Sequence, residues 1–169
     1  MTRVFRGVDA FRDAAGAELG VSGWLTMEQP RIDGFADVTE DWQWIHVDPA
    51  RAAASDLGAT IAHGYLVLSL IPRLSAEVFE FADIDRAVNY GLERVRFPAS
   101  VRPGDRLRAR AELVEVTDHP SGALGRVRYT LELDTSTRPA CVAEALMLVV
   151  GESGADRRED VVAVTPSTT

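Results

Sequence analysis

Gly64-Tyr65-Leu66-Val67-Leu68-Ser69-Leu70-Ile71 is almost wholly apolar, and a more mixed pattern continues to Phe79. A helix hydrophobic on every side belongs in an interior, so this stretch predicts a long central helix. Pro72 lacks the amide for an i−4 bond and kinks it. After Asp85 the period changes. Leu107, Ala109, Ala111 and Leu113 alternate with Arg106, Arg108, Arg110 and Glu112, and then the phase slips by one residue. A bulge near Leu113-Val114 absorbs the slip and bends the strand. Val127, Tyr129, Leu131 and Leu133 alternate in the same way, as do Cys141, Ala143, Ala145, Met147 and Val149. Turns fall at Pro103-Gly104-Asp105, at 118–122 and at 135–139. The economical packing of one apolar helix with one-sided strands is α+β, a curved antiparallel sheet wrapped around the helix. The open sheet edge and the remaining apolar face call for a second copy.

The first sixty residues carry weaker signals. Residues 8–16 read as a helix, and 21–27 as a first strand. Ile32, Phe35 and Ala36 stand at helical spacing after Pro30. Pro49 to Ala54 reads as a short helix, with Asp48 as its N-cap before proline. Residues 1–150 form one expected domain, and the polar stretch 151–169 is expected to be a flexible tail.

Composition removes several classes of function. A chain of 169 residues with 46% hydrophobic content builds a core without metal or disulfide help. Cys141 is its only cysteine, which excludes an intrachain disulfide and a four-cysteine zinc site. The formal net charge of −8 argues against nucleic acid. No apolar run reaches the ~20 residues of a membrane span, and no secretory pattern opens the chain, so a cytoplasmic location is expected. The sequence contains no lysine, which excludes lysine Schiff bases and Walker-type phosphate loops. Arg106, Arg108 and Arg110 read as the solvated face of a strand. Arg94 and Arg96 remain open between that role and contact with an anionic ligand.

The chemistry concentrates in Asp41-Trp42-Gln43-Trp44-Ile45-His46-Val47-Asp48-Pro49 and in Ile61-Ala62-His63-Gly64-Tyr65. On one continuous helix Asp41 and His46 would point about 140° apart, so cooperation requires a turn between them. A loop anchored by Trp42, Trp44 and Ile45 would hold both side chains toward one water. A carboxylate and an imidazole on one water can divide proton removal and proton delivery. The structural alternative gives Asp41 a loop role and leaves His46 bonded to a carbonyl. A metal site of Asp41, His46 and His63 has the right ligand types but no i, i+4 pair, and none is expected. Gly64 opens the apolar helix, where a free amide can hold a developing oxyanion. The plainer alternative makes it a packing glycine and His63 a structural hydrogen-bonding residue.

These two clusters, together with Asn89-Tyr90-Gly91-Leu92-Glu93-Arg94-Val95-Arg96-Phe97-Pro98, closely resemble the MaoC-like hydratases and dehydratases, in particular their NodN-like branch. The resemblance spans roughly residues 15–150. It implies a hot-dog fold, a homodimer, a place in fatty acid metabolism and reversible (R)-specific hydration of trans-2-enoyl thioesters. By position, Asp41 and His46 match the catalytic pair, and Gly64 matches the glycine whose amide holds the thioester carbonyl. Gln43, His63 and Tyr65 are expected beside it at the substrate. No cofactor is expected; the substrate is an acyl thioester of coenzyme A or of acyl carrier protein. The chain departs from the family in having Glu40 where many members have glycine, and Gln43 and Trp44 where hydratases often have asparagine and proline. A thioesterase on the same fold and a non-catalytic acyl-binding dimer are the alternatives.

Overall fold

A computed structural model describes residues 2–151. In chain order its elements are β1 (Arg3–Arg6), α1 (Gly7–Arg12), β2 (Glu18–Val21), β3 (Leu25–Thr26), α2 (Gln29–Thr39), α3 (Trp44–Val47), α4 (Pro49–Ala53), α5 (Gly64–Ser69) and α6 (Ile71–Ser75). Then follow β4 (Phe79–Ala82), β5 (Arg86–Arg96), β6 (Arg106–His119), β7 (Gly122–Leu133) and β8 (Ser136–Val150). The alternating stretches become the three longest strands. They form an antiparallel sheet in the order β2-β6-β7-β8-β5, with β3 also paired to β6. The register of β6 on β7 shifts between Leu113 and Glu115, so Val114 is the bulge expected from the phase slip.

One face of the sheet is core. Leu107, Ala109, Ala111, Leu113, Val127, Tyr129, Leu131 and Ala143 are buried beneath the helices. Docking is fixed by a polar point as well as by apolar area, because the Ser75 and Tyr129 hydroxyls bond at 3.0 Å. Burial pushes the Tyr129 phenol up to about 12. The opposite face is a ladder of ion pairs: Arg108 and Arg110 on Glu132, Arg128 on Glu112 and Glu144, Arg126 on Glu115. Arg106 pairs with Asp134. These arginines form the solvated strand face read from their alternation.

Four features differ from the sequence expectations. The central helix is two short helices, α5 and α6, broken at Leu70. Pro72 cannot bond the Leu68 carbonyl, and its ring crowds that turn. Here Leu70 N–H bonds Val67 C=O instead, three residues back. Nor is α5 enclosed on every side, since Tyr65 is 75% exposed. The expected strand over 21–27 is split by Ser22-Gly23-Trp24: Ser22 Oγ accepts the Ala109 N–H and Gly23 N–H bonds Glu77. Finally β1 and β4 form a small parallel pair, which gathers Phe5, Phe11, Phe79 and Phe81 into one aromatic cluster. The tail expectation over 151–169 lies, apart from Gly151, outside the described residues.

Candidate active site

Helix α2 ends where Glu40 adopts a left-handed conformation (φ 60°). Its amide and that of Asp41 both turn back to Ala36 C=O. Left-handed backbone is glycine's natural conformation, so Glu40 holds a strain there that a glycine would not. The reversal releases Asp41 from the helical direction, and residues 41–43 then lead into α3. His46 lies on α3, so a turn and a new helix remove the 140° mismatch of a continuous helix. Trp42 contributes less burial than expected: it is 56% exposed and donates to Asp37 at 3.0 Å. Trp44 is half-buried, with the Arg51 guanidinium 4.3 Å above its ring. Asp48 caps α4 by accepting Arg51 N–H at 2.9 Å.

One polar side-chain atom from each of Asp41, His46 and His63 lies within 4.8 Å of the other two. One water spans such a gap when each hydrogen bond is about 2.8 Å. His46 and His63 are buried, at 7% and 2% exposure, while Asp41 is exposed. The cluster therefore has a wet side and a dry side.

The partners of the two imidazoles fix their hydrogens. His46 Nδ1 lies 2.6 Å from the Ile61 carbonyl. A carbonyl only accepts, so Nδ1 carries hydrogen and Nε2 of the neutral ring keeps a lone pair. His63 Nε2 lies 3.0 Å from the Asp41 backbone carbonyl and is by the same argument the protonated nitrogen. The rings stack with centroids 3.7 Å apart and planes 27° apart. Burial, more than any other cause, holds the His46 imidazole below its ordinary range; the neighbouring His63 adds to this, and the Ile61 carbonyl and Asp41 oppose it.

The same three side chains have metal-ligand chemistry, as anticipated. Each histidine commits one nitrogen to a backbone carbonyl and keeps the other free.

Gly64 follows His63 directly and opens α5. The first bond of that helix runs from Val67 N–H to His63 C=O, so the Gly64 amide has no partner inside it. With six residues α5 has little macrodipole, which leaves the amide itself as the donor. Gly64 also serves packing, because a Cβ there would come 3.1 Å from the Phe97 ring. Tyr65 and Gln43, like Asp41, are exposed. The Tyr65 side chain is largely exposed, and Gln43 contributes its backbone carbonyl to His46 N–H at 2.9 Å.

Sequence reasoning missed Gln29, which holds α3 in place. Its amide nitrogen donates to His46 C=O at 2.8 Å and to Asp33 at 2.7 Å, while its oxygen accepts from Thr60. It missed Ile61 as well, whose role is carried by a carbonyl that any residue supplies.

An apolar groove of about 330 Å³ opens between the C-terminal end of α5, α6 and β5, and its lining includes none of Asp41, His46, His63 or Gly64. It is lined by Leu68, Ser69, Ile71, Pro72, Leu92 and Ala145 among others. Leu68 is four residues from Gly64 on the same helix face, about 6 Å along. A larger cleft of about 950 Å³ beside Arg6, Arg12 and Arg86 shares no residue with the cluster. Its arginines are paired with Asp83, Asp9, Asp118 and Asp85.

Residues 10–134 match the family described as MaoC like domain. The 3-hydroxyacyl-thioester dehydratase Z of Mycobacterium tuberculosis is 46% identical over 149 residues, 88% of this chain and 99% of that one. Nodulation protein N of Rhizobium leguminosarum bv. viciae is 41% identical over 137 residues, 79% of this chain and 85% of that one. Among solved structures, an R-hydratase from Pseudomonas aeruginosa aligns with a TM-score of 0.67 at 22% identity, covering 92% of each chain. The sheet wrapped on its helices is the hot-dog fold.

Proposed function

The chain belongs to the MaoC-like dehydratase family, and on that premise we propose that it reversibly hydrates trans-2-enoyl thioesters with (R) stereochemistry, using Asp41, His46 and Gly64. The observation that carries the proposal is the convergence of Asp41 and His46 on a gap one water wide, with His46 Nε2 left as the free lone pair.

In the hydration direction a water sits between the Asp41 carboxylate and His46 Nε2. Its oxygen bonds to C3 as its proton passes to Nε2, and the π electrons move toward the thioester oxygen, where Gly64 N–H donates. The imidazolium then returns the proton to C2. Dehydration runs the same steps backwards, taking the C2 proton first and giving it to the leaving hydroxyl. Asp41 aims the water and stabilises the transient imidazolium. No cofactor is required.

The acyl chain lies in the groove between α5, α6 and β5, which begins one turn from Gly64. A second copy covers that side. β5 is the sheet edge, and Val88, Tyr90, Leu92, Phe97 and Tyr65 leave large apolar side chains exposed along it. The 46% identity to a 3-hydroxyacyl-thioester dehydratase over nearly all of that protein supports a thioester substrate.

Loss of the conjugated thioester absorbance across a panel of trans-2-enoyl-CoAs tests the reading. Asp41→Ala and His46→Ala should each lower turnover by about 10²–10⁴. Wild-type turnover in Asp41→Ala would refute the assignment. Release of free thiol would make the protein a thioesterase, and tight binding without turnover an acyl-binding module.

A further inference from the structure

We propose that His63 is a positioning residue, which couples the Asp41 turn, the His46 ring and the Gly64 amide into one rigid unit and keeps His46 available as a base. This rests on the hydratase reading above. His63 is the N-cap residue of α5, so its backbone leads directly into the Gly64 amide. Its side chain donates from Nε2 to the Asp41 backbone carbonyl, in the turn that follows left-handed Glu40. Its ring is clamped between Phe35, at 5.0 Å and 52°, and His46, at 3.7 Å and 27°. Three groups from separate parts of the chain thus take their mutual positions from one imidazole that is 2% exposed.

The other ring nitrogen supports this division of labour. His63 Nδ1 is buried and has no hydrogen-bond partner among the described residues. A hydrogen there would be an unsatisfied buried donor, so of the two neutral tautomers the ring takes the Nε2–H form. The charged and titratable groups facing His46 are the Asp41 carboxylate, from the turn after α2, and His63. Asp48 on the far side of α3 is occupied by Arg51 N–H, and Asp33 on α2 by Gln29. Burial, with the stacked His63, opposes a proton on His46, and the Ile61 carbonyl and Asp41 favour it.

Two variants separate the two contributions. His63→Phe keeps a ring against His46 but has no donor for the Asp41 carbonyl. Turnover should fall about 10- to 100-fold, as misplaced catalytic groups do, with KM little changed. His63→Gln keeps a donor near the Nε2 position but has no ring. It should recover most of that turnover, while the acid limb of its pH profile moves upward, because without the stacked ring His46 is less shielded from water and easier to protonate. Wild-type turnover in His63→Phe, or an unmoved acid limb in His63→Gln, overturns the proposal. Nitrogen NMR of isotope-labelled wild-type protein needs neither variant folding nor activity. It should find Nδ1–H at His46 and Nε2–H at His63, and the opposite tautomer at either ring overturns the proposal. An inactive wild type with these tautomers would refute the hydratase reading while leaving the positioning of the two rings intact.

Discussion

Gln29 offers the sharpest test of how the site is held. Its NH₂ faces two acceptors, the His46 carbonyl and Asp33, and its oxygen faces the Thr60 hydroxyl, so only one orientation of the amide satisfies all three. Gln29→Ala removes the set. Asp33 is partly exposed and returns to water at little cost. Thr60 is 2% exposed, and an unsatisfied buried hydroxyl costs about 1–3 kcal/mol. The lost bond to the His46 carbonyl adds about 0.5–1.5 kcal/mol. The expected loss is roughly 1.5–4.5 kcal/mol by urea unfolding with linear extrapolation. Gln29→Glu has the same shape but turns the donors into acceptors facing the His46 carbonyl and the Asp33 carboxylate. It should therefore cost at least as much at neutral pH, and its deficit should shrink on acidification, because a protonated carboxyl again donates. Turnover should fall in both variants as α3 loosens beneath His46. A Gln29→Glu protein as stable as wild type at neutral pH, or a loss below about 0.5 kcal/mol in Gln29→Ala, would refute this account of the site.

Acidification should weaken the fold through His46. Its native value lies below the ordinary 6.5, so this contribution is complete above 6.5 and is lost as pH falls toward the native value, while the unfolded chain takes up the proton. Comparing urea midpoints of wild type and His46→Gln at about pH 8 and about pH 5.5 isolates it, and the variant should lose less. Glu40→Gly relieves the left-handed strain at φ 60° but adds chain entropy, so unfolding free energy should change by no more than about 1 kcal/mol in the stabilising direction. Gly125→Ala would place a Cβ 2.3 Å from the fully buried Phe11 ring. It should cost about 1–3 kcal/mol, with Phe11→Leu restoring part of the loss when the two are combined. Leu92→Asp puts a charge on the exposed face of edge strand β5. Sedimentation velocity should find a dimer in the wild type and a monomer in the variant.

Sequence alone determined what repeats with a period. Alternation over residues 106–149 determined three long strands and their buried face, and a one-residue slip located the bulge at Val114. Asp48 before Pro49 determined a helix start, and the spacing of Asp41 and His46 required a turn before the two could cooperate. These are local constraints, each written in a few neighbouring residues. Tertiary structure decided what depends on partners distant in sequence. It broke the apolar stretch at Leu70, paired β1 with β4 across more than seventy residues, and gave Gln29 and Ile61 roles that no local pattern marks. The proton map of the site belongs to this second class, since the hydrogen of each imidazole is assigned by a carbonyl 15 or 22 residues away. Backbone carbonyls are common to every residue type, so the sequence could name the histidines but not their tautomers.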